Sequence, residues 1–287
     1  MAVKDVVRVK VPGTEYKVLI RSGITAELSR HLSGHKGNIY YLVDSNVYRL
    51  HKAYLASILS FDKSGSSVLA VKVSEKTKNL QTVEKILKFL QKNGADRKSV
   101  LVVIGGGILG DIGSFAASVY MRGIPYIAVP TTILSAIDSS VGGKTGVNFN
   151  RKKNFIGSFY QPESVWVDSR FFATLPETEV NCGLGELMKY GFLSSKNFFS
   201  EISRYLLSER DTSSLQFQAI VKKCVRIKAE IVAKDEKETG PRKLLNLGHT
   251  FAHGIESLLD FKVKHGEAVA AGLLFMVLLS HETGMIK

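Results

Sequence analysis

The stretch over residues 99–154 constrains the fold more than any other. An aliphatic, β-branched run over 100–104 leads into Gly105, Gly106, Gly107 and Gly110, then Asp111, after which small residues over 113–117 read as helix. Strand, glycine turn and helix start is the arrangement that lets backbone N–H groups reach a pyrophosphate at the positive end of a helix. Gly105, Gly107 and Gly110 fit G-x-G-x-x-G, but the ribose-binding acid expected about 20 residues further on is missing. The spacing predicts a nucleotide site that departs from the standard dinucleotide arrangement. A glycine turn serving only close packing is the competing reading.

The residues downstream of the glycines favour the site. A second buried strand is expected over 124–130, ending in Thr131 and Thr132 at a helix start. Asp138, Ser139, Ser140, Gly142, Gly143, Lys144 and Thr145 then mix charge with glycine, and Arg151, Lys152, Lys153 and Asn154 add cations and an amide. A basic run alone is a solvated loop; the whole set reads as the lining of a pocket for a phosphorylated, hydroxylated ligand.

Upstream, 6–11 and 16–20 alternate like a hairpin around Pro12 and Gly13, and 24–32 reads as a short helix. Strands over 39–43 and 68–73 end in Asp44, Ser45, Asn46 and in Ser74, Glu75. Polar groups at the carboxyl ends of strands are where open α/β sheets bind ligands, so Asp44 and Glu75 are candidate ribose acids that precede the glycines. Residues 80–93 carry Val83, Ile86, Leu87 and Leu90 on one helix face. Residues 166–168 close the strand-rich part. Beyond Leu175 the pattern is helical over 177–193, 198–207, 215–235, 250–259 and 267–281. The chain is therefore expected to divide into an α/β unit over 1–174, with a Rossmann-like parallel sheet, and an all-helical unit over 175–287.

The helical part carries its own chemistry. Glu186 and Lys189 share a helix face at a spacing of three. Three of the seven histidines, His249, His253 and His265, fall close together in sequence. A carboxylate and two imidazoles with one open position make a catalytic zinc set. Spacing alone nominates His249 and His253 together, four apart on a helix.

The segments GGGILGD, RG-x-P-(x)4-PTT, DSSVGGKTGVN, KKN-x-IG-x-FYQP, GLGELMKYG, NLGHT-x-x-H and HGEAVA, in this order, resemble the 3-dehydroquinate synthase family of sugar-phosphate cyclases. The resemblance implies NAD held by Asp44, Asn46, Glu75, Lys78, Gly106, Gly107, Ile108, Gly110, Asp111, Thr131, Thr132, Lys144, Lys153, Phe171 and Thr174. It implies one divalent metal, zinc or cobalt, on Glu186, His249 and His265, leaving His253 for the substrate. Catalytic roles fall on Asp138, Lys144, Lys189 and His253, and substrate contacts on Arg122, Asn154, Lys228, Arg242 and Asn246. The implied substrate is 3-deoxy-arabino-heptulosonate 7-phosphate, converted to 3-dehydroquinate and phosphate by NAD-cycled oxidation, β-elimination, reduction and an intramolecular aldol. The residue types suit it: Arg forks a carboxylate, and Lys meets phosphate as a point charge.

Composition narrows the class. Of 287 residues, 39 are Lys or Arg and 26 Asp or Glu, a net charge of +13 scattered along the chain. Nucleic-acid binding would cluster these charges on one face with aromatics; a general positive field suits a phosphorylated acid better. No apolar leader opens the chain, and the longest apolar run, 268–279, is too short for a bilayer. Two distant cysteines fit a reducing compartment, with the cytoplasm expected. The resemblance also implies a further C-terminal segment with another lysine. The helix over 268–279, apolar on all sides, is expected to need cover from a partner chain, as in a homodimer. A cyclase acting on a neutral heptulose phosphate and a non-catalytic subunit are the alternative functions.

Overall fold

The computed structural model describes residues 5–59, 67–259 and 262–286. Strands β1 (Val6–Val11) and β2 (Thr14–Arg21) form the expected hairpin, and helix α1 (Thr25–Leu32) follows. β3 (Ile39–Asp44), α2 (Ser45–Leu50), α3 (Lys52–Leu59), β4 (Ser67–Val71) and α4 (Leu80–Lys92) lead to β5 (Val100–Gly105). After it come α5 (Gly107–Val119), β6 (Tyr126–Pro130), the pair β7 (Lys144–Phe149) and β8 (Lys152–Phe159), and β9 (Ser164–Asp168).

Seven strands form one sheet in the order β1-β2-β9-β6-β5-β3-β4, parallel except for β1. β3, β5, β6 and β9 are buried along their whole length. That burial on both faces explains why they read as continuous aliphatic runs instead of alternating ones. Their carboxyl ends, Asp44, Gly105, Pro130 and Asp168, lie along one edge. The order reverses between β3 and β5, because β4 lies to one side of β3 and β5 to the other. Open α/β sheets leave a ligand crevice at such a reversal, and the glycine turn after β5 sits there.

Two expectations are corrected. α5 starts at Gly107, with Gly106 extended as its N-cap, six residues before the small-residue segment at 113. Glycine weakens a helix, but burial of Leu109, Ile112, Phe115 and Ala116 against the sheet outweighs this. The basic run at 151–154, whose bland reading is a solvated loop, instead belongs with 144–159 to the antiparallel pair β7–β8. Its glycines hid the strand pattern. Gly157 is required by close approach, since a Cβ there would lie 2.0 Å from the Thr145 carbonyl oxygen.

The helical part comprises α6 (Glu177–Phe192), α7 (Lys196–Leu206), α8 (Leu215–Lys234), α9 (His249–Leu258) and α10 (His265–Glu282). Ser195 and Ser214 cap α7 and α8 by accepting the N–H groups of Phe198 and Phe217 at 3.3 and 3.1 Å. One aliphatic core runs from the sheet through Leu184, Leu187, Ile202, Phe217 and Val225, and α8 packs along β1. A small satellite of Ala252, Ala268, Val269 and Leu273 joins α9 to α10. The other side of α10 stays open, with Leu274 61% and Leu278 56% exposed beside Phe275 and Leu279.

Candidate active site

A cavity of about 730 Å³ opens between the glycine turn, the β7–β8 pair and the ends of α8, α9 and α10. Its wall brings together fifteen of the residues expected from sequence: Glu75, Lys78, Gly107, Ile108, Asp111, Asp138, Lys144, Lys153, Asn154, Lys228, Arg242, Asn246, His249, His253 and His265. Glu186 and Lys189 lie fully buried behind this wall.

Backbone contact sets the carboxylate–imidazole group. Gly185 on α6 touches Gly266 on α10, and Gly248 before α9 touches Gly272. These crossings draw Glu186, His249 and His265 together. Glu186 Oε1 is 3.6 Å from His249 Nε2 and 3.4 Å from His265 Nε2, and one ligand atom from each lies within 4.8 Å of the others. Lys189 Nζ stands 2.5 Å from Glu186 Oε2, yet neither carboxylate oxygen has a hydrogen bond of good geometry. A buried carboxylate left that way, facing two imidazole nitrogens, suits a metal ion. The i,i+4 pair of His249 and His253 is not the set that converges: His253 belongs to a second group with Glu256 and His265.

Electrostatics around Asp138 support an ionised cluster. Lys228 Nζ donates to both the Asp138 carbonyl, at 2.6 Å, and its carboxylate. Lys189 Nζ is 3.8 Å from Asp138 Oδ2, and Tyr190 Oη is 3.1 Å from Oδ1. Burial works to raise the Asp138 pKa, but the charges of Lys189 and Lys228 outweigh it and hold the carboxyl far below its usual range. Glu186 is lowered in the same way: burial works to raise it, but the charge of Lys189 and contact with His265 outweigh burial. Burial lowers Lys228 and His249. His265 is raised, because contact with Glu186 and the charge of Glu256 outweigh its burial.

The other cations are engaged. Lys78 Nζ bridges Asp111 Oδ2, at 2.5 Å, and Asn154 Oδ1. Burial raises the Asp111 pKa against the opposing charge of Lys78. Lys144 and Asn246 both meet Glu238, the latter at 2.8 Å. Arg242 does not present the expected open fork. Its terminal nitrogens donate to the Gly142 carbonyl, at 2.9 Å, and to the Glu236 carbonyl, leaving only Nε without a partner.

Several expected residues lie outside the cavity wall. Gly106 and Gly110 line a narrow cleft that shares Asp111 and Lys144 with it. Asp44 caps α2, accepting the Asn46 N–H at 2.8 Å. The Thr131 N–H donates to the Gly105 carbonyl at 3.0 Å, and Thr132 Oγ1 caps Ser135 at 3.2 Å. Thr174 bonds His51 at 2.7 Å, and Phe171 packs edge-on to the same ring. Arg122 is exposed in the turn after α5, where positive φ at Met121 and Arg122 turns the chain away. Glu256 was missed from sequence: it is buried, its Oε1 3.4 Å from both His265 Nδ1 and Lys153 Nζ. Its place three residues after His253, on the same helix face, is the signal that could have found it.

Comparison with known proteins places the chain in a family. The 3-dehydroquinate synthase N-terminal family matches residues 68–182, and the 3-dehydroquinate synthase C-terminal family matches residues 183–287. The chain belongs to the 3-dehydroquinate synthase family. The 3-dehydroquinate synthase of Alkaliphilus metalliredigens is 41% identical over 272 residues, covering 94% of this chain and 76% of that protein. That of Campylobacter hominis is 44% identical over 239 residues, covering 83% and 68%. Among solved structures, 2-epi-5-epi-valiolone synthase from Streptomyces hygroscopicus, with NAD+ and Zn2+ bound, superposes with a TM-score of 0.88 at 25% identity, covering 97% of this chain and 78% of that one. A 2-deoxy-scyllo-inosose synthase superposes at 0.87 with 24% identity, covering 98% and 77%, and shows the same fold. A parallel-sheet unit followed by helices is thus the architecture of 3-dehydroquinate synthase relatives as well. Among the described residues no helix is long and apolar enough to cross a membrane.

Proposed function

We propose that the cavity is the active site of a 3-dehydroquinate synthase, which converts 3-deoxy-arabino-heptulosonate 7-phosphate to 3-dehydroquinate with release of phosphate. The observation that carries this reading is the buried Glu186 carboxylate facing His249 and His265, two imidazoles that line the same cavity as the glycine turn. The relatives' chemistry calls for NAD and one divalent metal, zinc or cobalt, and the residues present fit both. The orphaned Glu186 oxygens and two imidazole nitrogens would hold the metal. Gly107, free of a side chain, would leave the helix N-terminus open to the pyrophosphate, and Glu75 and Lys78 on the same cavity wall would help hold the dinucleotide. When bound, NAD supplies a hydride acceptor and donor, and the metal lowers the pKa of a substrate hydroxyl.

The chain's own residues do the rest. Asp138, kept ionised by Lys189 and Lys228, accepts hydrogen bonds from substrate hydroxyls or ordered water. His253 is the exposed imidazole of the wall and moves protons at the substrate. Lys144, Lys153, Asn154, Lys228, Arg242 and Asn246 surround the anionic ends with charge and amides. Holding the substrate in one conformation supplies much of the rate, since an oriented intramolecular reaction gains up to about 7–11 kcal/mol.

The same reading divides the chain at 174/175, with the glycine turn before the boundary and the metal set after it. It includes pairing of two chains, supported by the open apolar face of α10. A cytoplasmic setting is supported by the free, buried Cys182 and Cys224. A neutral heptulose phosphate is the second reading, favoured by the engagement of both Arg242 terminal nitrogens. Phosphate release from the keto-acid phosphate and from sedoheptulose 7-phosphate, each with NAD and Zn2+, separates the two. The proposal expects release from the keto acid alone; release from the neutral sugar alone would overturn it.

A further inference from the structure

Away from the cavity, another group of metal-ligating side chains converges at the amino edge of the sheet. His31, in the last turn of α1, and His35, in the turn just beyond it, both point Nε2 at one oxygen of Glu163, the residue before β9. The distances are 3.3 Å from His31 and 3.1 Å from His35 to the same Oε1. One ligand atom from each of the three lies within 4.8 Å of the others. No residue of this group lines the cavity or belongs to the Glu186 set.

We propose that His31, His35 and Glu163 form a second binding site for a divalent transition ion, Zn2+ by its ligand chemistry. Two imidazoles and one carboxylate with a fourth position open to water make a complete zinc set. Ligands held about 2.0–2.1 Å from zinc at tetrahedral angles stand roughly 3.3 Å from one another, close to the two histidine–carboxylate separations. They are long for charge-assisted hydrogen bonds, which run about 2.7–2.9 Å, so a histidine–glutamate ion pair explains the spacing less well.

The surroundings hold the ligands in place. The Glu163 N–H donates to the Tyr126 carbonyl at 2.8 Å, tying the acid to β6, and the His35 N–H donates to the Leu32 carbonyl at 3.0 Å. The His31 ring packs against Trp166, 5.4 Å between centroids, and edge-on to His35 at 5.3 Å. The side chains are 38%, 19% and 33% exposed for His31, His35 and Glu163, so an ion can enter from solvent. An ion there would staple α1 to the start of β9, at the end of the sheet opposite the glycine turn. Its role is structural, because none of its three ligands lines the cavity.

Trp166, the single tryptophan, gives the test a local reporter. The metal-stripped full chain is dialysed against Zn2+, in parallel with His31→Ala/His35→Ala and with Glu163→Gln, and bound zinc is counted. The double variant is expected to bind one equivalent fewer than wild type, and Glu163→Gln to need at least ten-fold more free zinc for that equivalent. Cu2+, a contact quencher, is expected to quench Trp166 fluorescence in wild type and to lose most of that effect in the double variant. Equal zinc binding in wild type and the double variant overturns the proposal, as does Cu2+ quenching that survives both substitutions.

Discussion

Gly185 and Gly266 meet with no space between their backbones. A Cβ on Gly185 would stand 2.0 Å from the Gly266 carbonyl oxygen, and one on Gly266 would stand 1.7 Å from that of Cys182. This contact between α6 and α10 is what carries Glu186 to His265. Gly185→Ala must push the helices apart, and overpacking of this kind costs about 1–3 kcal/mol. The variant is expected to melt earlier and to bind metal at least ten-fold more weakly. Unfolding curves and a zinc titration check both, and an unchanged zinc affinity would show that the crossing does not set the triad.

Asp138 links stability to pH. Its folded pKa is depressed below the unfolded value of about 3.9. The stability it contributes is therefore present above about pH 4 and is lost as pH falls through the folded value. Asp138→Asn leaves Lys189 and Lys228 buried without their shared counter-charge, a loss of about 3–5 kcal/mol at pH 7. Urea unfolding at pH 7 and at pH 3 is expected to show a smaller gap between wild type and variant at the lower pH. A constant gap would mean that Asp138 is not the group titrating.

The two glycines of α5 that face different neighbours separate binding from folding. A Cβ on Gly113 would lie 2.8–2.9 Å from Leu42 and Val103, so Gly113→Ala is expected to destabilise the fold by about 1–3 kcal/mol. On Gly107 it would lie 3.0 Å from the Ser139 hydroxyl, the end of a small side chain on the cavity wall. Gly107→Val is expected to keep its melting temperature within a few degrees while losing NAD affinity ten-fold or more. Calorimetric titration with NAD, beside a thermal melt, distinguishes the pair; unchanged NAD binding makes the turn structural only.

Leu274 and Leu278, exposed on one side of α10, predict that a hydrophobic dye binds the isolated chain. Leu274→Lys/Leu278→Lys should reduce that signal at least two-fold without lowering the melting temperature. A dye signal indifferent to both changes would place the apolar surface elsewhere.

Where one rule dominated, the sequence was readable. Buried parallel strands made continuous aliphatic runs, and α4 showed its apolar face through Val83, Ile86 and Leu90. The metal set was harder, because histidine spacing on one helix favoured His249 with His253. Only the three-helix crossing at Gly185, Gly248, Gly266 and Gly272 brings in Glu186 and His265, and glycine in a helix leaves no signal of what it touches. G-x-G-x-x-G does not show which glycine the helix needs for packing on the sheet: a Cβ on Gly110 would meet open space, whereas one on Gly113 would strike Leu42 and Val103. The β7–β8 pair was hidden because Gly146 and Gly157 stand where strand side chains would. For Arg242, residue type gives the charge at the cavity wall but not the backbone carbonyls that take up its terminal donors.

The most direct test of the central claim is phosphate release from 3-deoxy-arabino-heptulosonate 7-phosphate by the chain loaded with NAD and Zn2+, compared with Glu186→Gln under the same conditions. The amide keeps the shape of the buried carboxylate beside His249 and His265 but removes its charge. The account predicts release by the wild type and a loss of at least a hundred-fold in the variant, with NAD binding retained. Release at the wild-type rate by Glu186→Gln would contradict it.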